Sequence, residues 1–165
     1  MIVRRAQFTW AWPGVAAALI AGLVLIVFMP PSAAAQTKLQ APVPDKPFAE
    51  HRLVVQLSDR EPVKQALALS VPYNLLKFYD PDKISIVVVA FGAGIDLLRA
   101  DSPNRARVDS LVSQGVEFDA CMNTVDTIER ETGKKVALNP KAIKVQVGVA
   151  RILELAEKGY TLVRP

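Results

Sequence analysis

The stretch that decides the fold is Ile84-Ser85-Ile86-Val87-Val88-Val89-Ala90-Phe91. It is almost wholly apolar and rich in β-branched side chains, the pattern of a central strand that is covered on both faces. Strands of this kind lie in parallel sheets with helices above and below them. The segment therefore predicts an α/β protein.

Other strands are predicted on both sides of this one. Residues 52–57 and 160–164 are short, mostly apolar runs. Residues 116–120 alternate apolar with acidic side chains, which is the period of two expected of a strand. Residues 134–138 are predicted to be a further short strand or an extended stretch.

Helices are predicted between these strands. The first begins at Pro62, a residue favoured at the first helical position, and Pro72 within it predicts a kink or a break. Further helical segments are predicted over residues 95–98, 105–114, 123–131 and 145–158. In the last helix, the residues expected to face inward are Val149, Ile152, Leu153 and Leu155. This alternation of strands and helices implies a parallel sheet with helices on both faces.

The N-terminal residues are predicted to be an export signal. Two arginines precede an apolar run over residues 15–28, and Ala33 and Ala35 form a small-residue cleavage site. Residues 1–35 are therefore predicted to be a signal peptide, which makes the mature protein periplasmic or secreted. The alternative is an uncleaved segment that anchors the protein in the membrane, facing the periplasm, because residues 11–28 are just long enough to span it.

The remaining chain is predicted to be a tether and one domain. Residues 36–50 are proline-rich and are interpreted as an extended tether. Residues 51–165 have the length of a single domain. Without Arg4 and Arg5, the chain has 18 basic residues against 16 acidic ones. No run of Lys and Arg is interleaved with aromatic residues, so nucleic acid is not expected as a partner.

Cys121 is the only cysteine, so an intramolecular disulfide is excluded. It lies where a predicted strand runs into the helix predicted from Asn123. A thiol at a helix N-terminus meets unpaired backbone N–H groups and the positive end of the helix dipole. Both favour the thiolate, which is the nucleophilic form, so Cys121 is a candidate catalytic residue. The alternative is that Cys121 is a small buried hydrophobic residue.

Three segments are predicted to follow strands at one edge of the sheet, where ligands bind in open α/β folds. They are Ser58-Asp59, Gly92-Ala93-Gly94 and Cys121-Met122-Asn123-Thr124. Beside Cys121, the predicted pocket residues are Asp59, Gly92, Ala93, Gly94, Asn123 and Thr124.

Each pocket residue also has a structural interpretation. The two glycines either allow a tight turn or make room beside Cys121, and they lack the third glycine and the lysine of nucleotide-binding motifs. Asp59 is expected in a turn or as an N-cap, with a role toward a ligand as the alternative. Asn123-Thr124 are expected to cap the following helix or to donate to a sulfur-bound group.

His51 is the only histidine, and it lies at the amino end of the first strand, opposite the predicted pocket. A Cys–His dyad is therefore not expected, and a histidine-based metal site cannot be built within one subunit. The sequence predicts neither a metal nor an organic cofactor.

Several segments together resemble the DsrE/DsrF-like family. They are Val87-Val88-Val89-Ala90-Phe91-Gly92-Ala93-Gly94, Leu97-Leu98, Gly115-Val116-Glu117-Phe118-Asp119-Ala120-Cys121-Met122-Asn123-Thr124, Asn74-Leu75-Leu76 and Gly159-Tyr160-Thr161-Leu162-Val163-Arg164-Pro165. The likeness covers roughly residues 52–165.

This resemblance implies a flavodoxin-like, three-layer α/β fold with a mainly parallel sheet, commonly assembled as a trimer or hexamer. Some members of the family relay sulfur as a persulfide on a cysteine, a role that can fall only on Cys121 here. The best-known relay members are cytoplasmic, whereas this chain carries a predicted export signal. Met122 also stands where a small residue is commoner in the family.

Two functions are therefore predicted. In the first, Cys121 carries sulfur or reacts with another thiol, with a thiol or a sulfane-sulfur compound as partner, in the manner of a sulfurtransferase-like relay. In the second, the protein is a non-catalytic oligomeric binding module and Cys121 is a packing residue.

Overall fold

The computed structural model describes residues 46–165. The predicted signal peptide and most of the predicted tether lie outside these residues. The last tether residues pack on the domain, because Ala49 is buried and the Lys46 ammonium donates to the carbonyl of Ile84 over 3.2 Å.

Five parallel strands form the sheet, in the order β4-β3-β2-β1-β5. Their bounds are His51–Leu57 (β1), Ile84–Ala90 (β2), Val116–Cys121 (β3), Ile143–Val145 (β4) and Thr161–Val163 (β5). All seven residues of β2 are buried, which confirms the prediction of a central strand covered on both faces.

The helices lie in two layers, one on each face of the sheet. Their bounds are Pro62–Tyr79 (α1), Arg105–Ser113 (α2), Met122–Thr132 (α3) and Gly148–Glu157 (α4), with a 3₁₀ helix over Gly92–Leu98. The first three helices and the 3₁₀ helix pack on one face, and α4 packs on the other. Right-handed crossovers require this division, because the chain moves outward from β1 to β4 and then returns across the sheet to β5. The fold is therefore a three-layer, flavodoxin-like α/β fold.

Pro72 does not break the first helix. It is buried inside α1, which continues through it to Tyr79. Proline removes one backbone hydrogen bond from a helix. Burial of Leu69 and Leu76 on the same helix offsets this loss, so the predicted break is absent.

The last predicted helix is wrong at its start. Residues 143–145 form the edge strand β4, and α4 begins only at Gly148. Within α4, Ile152 and Leu155 are buried as expected, but Val149 and Leu153 are exposed. The inward position is taken by Arg151, a residue that a hydrophobic pattern does not select.

Residues 134–138 form a loop in which Leu138 makes one isolated antiparallel bridge to Arg99. The strand that pairs with the outer edge of β3 is therefore β4, residues 143–145. Among residues 46–165, no helix combines the length and the apolar character needed to cross a membrane.

Candidate functional site

Cys121 lies at the N-terminus of the helix that follows it in sequence, but its thiol accepts a hydrogen bond from the N-terminus of a different helix. Cys121 ends β3 and is the N-cap residue of α3, where its side chain makes no capping hydrogen bond. Its Sγ atom accepts a hydrogen bond from the backbone N–H of Gly148 over 3.2 Å. Gly148 is the first residue of α4. The helix N-terminal N–H group that the sequence predicts beside the thiol is therefore present, and α4 supplies it.

Gly148 allows this contact because it has no side chain. A Cβ atom at this position would lie 3.1 Å from the Cβ of Cys121 and 3.3 Å from the Cβ of Phe91. Both distances are shorter than ordinary van der Waals contact. A larger residue would therefore push the first turn of α4 away from the thiol.

The segment before α4 covers the thiol. The carbonyl oxygen of Gln146 lies 3.9 Å from Sγ, and Cys121 is only 5% exposed. The side-chain amide of Gln146 donates to Asn123 Oδ1 over 2.9 Å, and the backbone N–H of Asn123 donates to the Gln146 carbonyl over 3.1 Å. Asn123 therefore ties α3 to the covering segment and is not a helix cap.

Four of the predicted pocket residues do lie together. The backbone N–H of Gly92 donates to Thr124 Oγ1 over 3.0 Å, so Thr124 joins the glycine turn to α3 rather than capping a helix. The open groove at this point has a volume of about 350 Å³ and is lined by Arg60, Gly92, Ala93, Asn123, Thr124, Thr127 and Ile128. Cys121 does not line this groove.

The glycine turn does not make room beside Cys121. A Cβ atom on Gly94 would lie 2.3 Å from the carbonyl oxygen of Leu57, so this glycine lets the turn approach the end of β1. Gly92 has a φ of +53°, a conformation that glycine adopts readily. The structural interpretation of both glycines is therefore the correct one.

Asp59 lies apart from the groove lining. Its carboxylate pairs with the Lys64 ammonium at 3.0 Å and accepts a hydrogen bond from Ser58 Oγ at 3.2 Å. The hydrogen bond from Lys64 lowers the pKa of Asp59. The N-cap residue of α1 is Glu61, so Asp59 braces the turn before the helix without capping it.

His51 lies at the amino end of β1, where its ring packs against that of Tyr79 with 4.0 Å between centroids. This is the end of the sheet opposite Cys121, so the two residues form no dyad. Across residues 46–165, no three His, Cys, Asp or Glu side chains are grouped to hold a metal ion.

A buried ionic cluster lies on the α4 side of β3, and the sequence reasoning missed it. Arg151 Nε pairs with Asp119 Oδ2 at 3.0 Å, and Arg151 Nη2 pairs with Glu117 Oε1 at 2.9 Å. All three residues are buried, Asp119 completely. The other carboxyl oxygen of Asp119, Oδ1, has no hydrogen-bond partner among the residues that the structure describes.

This environment changes the protonation of Asp119. Burial, and after it the neighbouring Glu117 carboxylate, raise the pKa of Asp119 to about 8, while the Arg151 guanidinium opposes them. The usual value for an aspartate is about 3.9. The acidic residues that alternate along β3 predicted only a strand, and the structure covers their face with an arginine.

The fold and the family of the chain are shown by comparison with a solved structure. The structure of MTH1491, a protein of unknown function from Methanobacterium thermoautotrophicum, is 30% identical in sequence and matches with a TM-score of 0.63. The match covers 70% of this chain and 100% of MTH1491. The chain belongs to the family of MTH1491. A scan against protein-family models and a search of curated proteins gave no match.

Membership of the MTH1491 family agrees with the α/β architecture described above. Since the function of MTH1491 is itself unknown, the comparison assigns no activity. The chemistry of the site must therefore be inferred from the residues of this chain.

Proposed function

We propose that this chain is an exported, DsrE-like protein in which Cys121 accepts and carries sulfur. The observation that carries the proposal is the hydrogen bond from the Gly148 N–H to Sγ at the N-terminus of α4. A backbone N–H and the positive end of a helix dipole both stabilise a thiolate relative to a thiol. The resemblance of residues 115–124 to the DsrE/DsrF-like family supports the same role.

The reaction would be two successive thiol exchanges. The Cys121 thiolate attacks the outer sulfur of a persulfide R–S–S–H, which forms Cys121–S–S–H and releases R–S⁻. The thiolate of an acceptor then attacks the outer sulfur of Cys121–S–S–H, which forms the acceptor persulfide and restores the Cys121 thiolate. Each step makes one sulfur–sulfur bond and breaks one, so no external oxidant or reductant is required.

The proposal includes export and assembly. Residues 1–35 would direct the protein to the periplasm or outside the cell, and the mature chain would form a trimer or hexamer. Three exposed apolar residues on α4 and just before it, Val147, Val149 and Leu153, support assembly. Light scattering of the purified protein would give the oligomer size, and a monomer at micromolar concentration would contradict this part.

The second candidate is a non-catalytic oligomeric binding module. It is favoured by the burial of Cys121, which is 5% exposed beneath the segment around Gln146. In this case the groove between the glycine turn and α3 would hold a small ligand or a partner loop.

The test combines alkylation with intact mass. The rate of alkylation of Cys121 is measured against pH in the folded protein, and the mass is measured after treatment with polysulfide. A thiol that titrates below the reference of about 8.5 and gains the mass of one sulfur supports the proposal. Cys121→Ser must abolish the gain. A thiol that stays inert until denaturant is added would leave the binding module.

A further inference from the structure

The first turn of α4 is fixed to β3 by Arg151. The guanidinium of this residue donates to Asp119 over 3.0 Å and to Glu117 over 2.9 Å, through two different nitrogen atoms. The planar fork of an arginine fixes direction as well as distance when two of its nitrogens are engaged. The two contacts therefore define where the start of α4 lies relative to β3.

The same turn of α4 carries the donor to the thiol. Gly148 lies one turn before Arg151, and its N–H contacts Cys121 Sγ. Glu117, Asp119 and Cys121 are alternate residues of β3, so their side chains lie on one face of the sheet. The start of α4 thus contacts this face at three successive positions.

We infer that Arg151 is a positioning residue for the Cys121 thiolate. Its contacts with Asp119 and Glu117 hold the first turn of α4 at the distance where the N–H of Gly148 reaches Sγ. The inference rests on the proposed function, because the position of this N–H matters only where the thiolate reacts. Arg151 makes no hydrogen bond to Sγ and acts through Gly148.

The charges around the thiol favour an effect of geometry over an effect of charge. Among residues 46–165, the charged groups on this face are Glu117 and Asp119 from β3, Arg151 and Glu154 from α4, and Lys46, which lines the same cavity as Glu117 and Arg151. The neighbouring strands contribute uncharged residues here, Val87 and Val89 from β2 and Ile143 and Val145 from β4. Three acidic side chains accompany these two cations, so the cluster leaves no net positive charge beside Cys121.

The test is the substitution Arg151→Lys, which keeps the charge and removes the fork. The pH midpoint of alkylation of Cys121 in the folded protein is expected to rise by about one pH unit, since a hydrogen bond to a charged group is lost or weakened. At a fixed pH below both midpoints, alkylation slows about tenfold. A residue that only supports the fold would change the melting temperature without moving this midpoint.

Glu154→Gln is the matched control. Glu154 contacts the same guanidinium at 3.8 Å, but its side chain is 62% exposed. Its substitution changes the charge next to Arg151 without touching the contacts to β3. The midpoint is expected to stay where it is in the wild-type protein.

A double substitution tests whether Arg151 acts through Gly148. Gly148→Ala alone displaces the N–H, so adding Arg151→Lys is expected to raise the midpoint little further. Additive rises would contradict the inference, as would an unchanged midpoint in folded Arg151→Lys.

If Arg151→Lys does not fold, Glu117→Gln replaces it. The loss of a nearby negative charge alone would lower the midpoint, whereas a loosened arginine raises it. A lowered or unchanged midpoint in this variant overturns the inference.

The role of Arg151 and the proposed function can be contradicted independently. Wild-type protein that gains no sulfur on Cys121 contradicts the proposed function, whatever the midpoints show. Wild-type protein that gains sulfur while Arg151→Lys keeps the wild-type midpoint contradicts only the role of Arg151.

Discussion

The backbone N–H of Gly148 donates a hydrogen bond to the Sγ atom of Cys121 over 3.2 Å. The donor begins α4 and the acceptor ends β3, two elements that are separated in sequence by α3 and β4. The environment of the only thiol in the chain is thus set by tertiary packing. It depends on how α4 lies on the sheet.

Gly148→Ala is expected to raise the pH midpoint of Cys121 alkylation. The added Cβ would lie 3.1 Å from the Cβ of Cys121, so the start of α4 moves and the N–H···S contact lengthens. Overpacking of this kind costs about 1–3 kcal/mol of stability. Alkylation against pH and denaturant unfolding measure the two effects.

Ala150→Ser is the control for this prediction. Ala150 lies two residues after Gly148 in α4 and is exposed, so a hydroxyl added there leaves the contact in place. A midpoint that moves equally in both variants would show that α4 responds to any change at its start.

Gln146→Ala is expected to speed alkylation of Cys121 severalfold without moving its pH midpoint. The substitution removes the side-chain hydrogen bond to Asn123 that closes the segment over the thiol, while the N–H of Gly148 stays in place. Rate constants across pH separate the two effects. Gln114→Ala is the control and should leave both quantities unchanged. Gln114 follows α2 and lies near the amino end of β3, opposite Cys121. If the pH midpoint of alkylation shifted together with the rate, Gln146 and the N–H of Gly148 would not have separate roles.

Asp119 is expected to make stability fall as pH rises. Burial and Glu117 raise the pKa of Asp119 to about 8 in the folded protein, whereas an unfolded aspartate titrates near about 3.9. Between these values the folded protein holds a proton that the unfolded chain has released. The contribution of this group is therefore full below about pH 4 and is lost toward pH 8, at no more than about 1.4 kcal/mol per pH unit.

The measurement is the free energy of unfolding from pH 5 to pH 8, in wild type and in Asp119→Asn. Asparagine cannot titrate, so the downward slope is expected to flatten in the variant. Asp101→Asn is the control, because the side chain of Asp101 is 79% exposed and should leave the slope unchanged. An equal slope in wild type and Asp119→Asn would show that Asp119 is ionised throughout this range.

Gly94→Ala is expected to destabilise the protein by about 2 kcal/mol or more. Its Cβ would lie 2.3 Å from a backbone oxygen, that of Leu57, which no side-chain rotation can relieve. Ala93→Ser, one residue earlier in the turn, should change stability by less than about 0.5 kcal/mol. Denaturant midpoints compare the two, and equal stabilities would contradict the close approach.

The fold could be predicted because local patterns determined it. The buried apolar run of β2 and the alternation of strands with helices were enough to predict a parallel sheet covered on both faces. The register of β4 was not predictable, since Ile143–Val145 is a three-residue edge strand whose pairing with β3 lies in tertiary structure.

The site was predictable only in part. The carboxyl ends of β2 and β3 brought the glycine turn beside Asn123-Thr124, as parallel strands require. The contacts of Cys121 come instead from Gly148 and Gln146, in a helix and a loop that the sequence pattern had merged into one long helix. The same pattern could not predict the position of Arg151, because hydrophobic periodicity assigns only apolar residues to the buried face of a helix.

The return of the chain through α4 sets an order of events during synthesis. Cys121 is synthesised before residues 146–151. When the β3 segment leaves the ribosome, its thiol is therefore exposed, and Glu117 and Asp119 do not yet have Arg151 as their ion-pair partner. Residues 146–151, which are synthesised later, both cover the thiol and pair with the two carboxylates. A chain that is terminated before Gly148 would leave the Cys121 thiol exposed. Such a protein is expected to form intermolecular disulfides when oxygen is present.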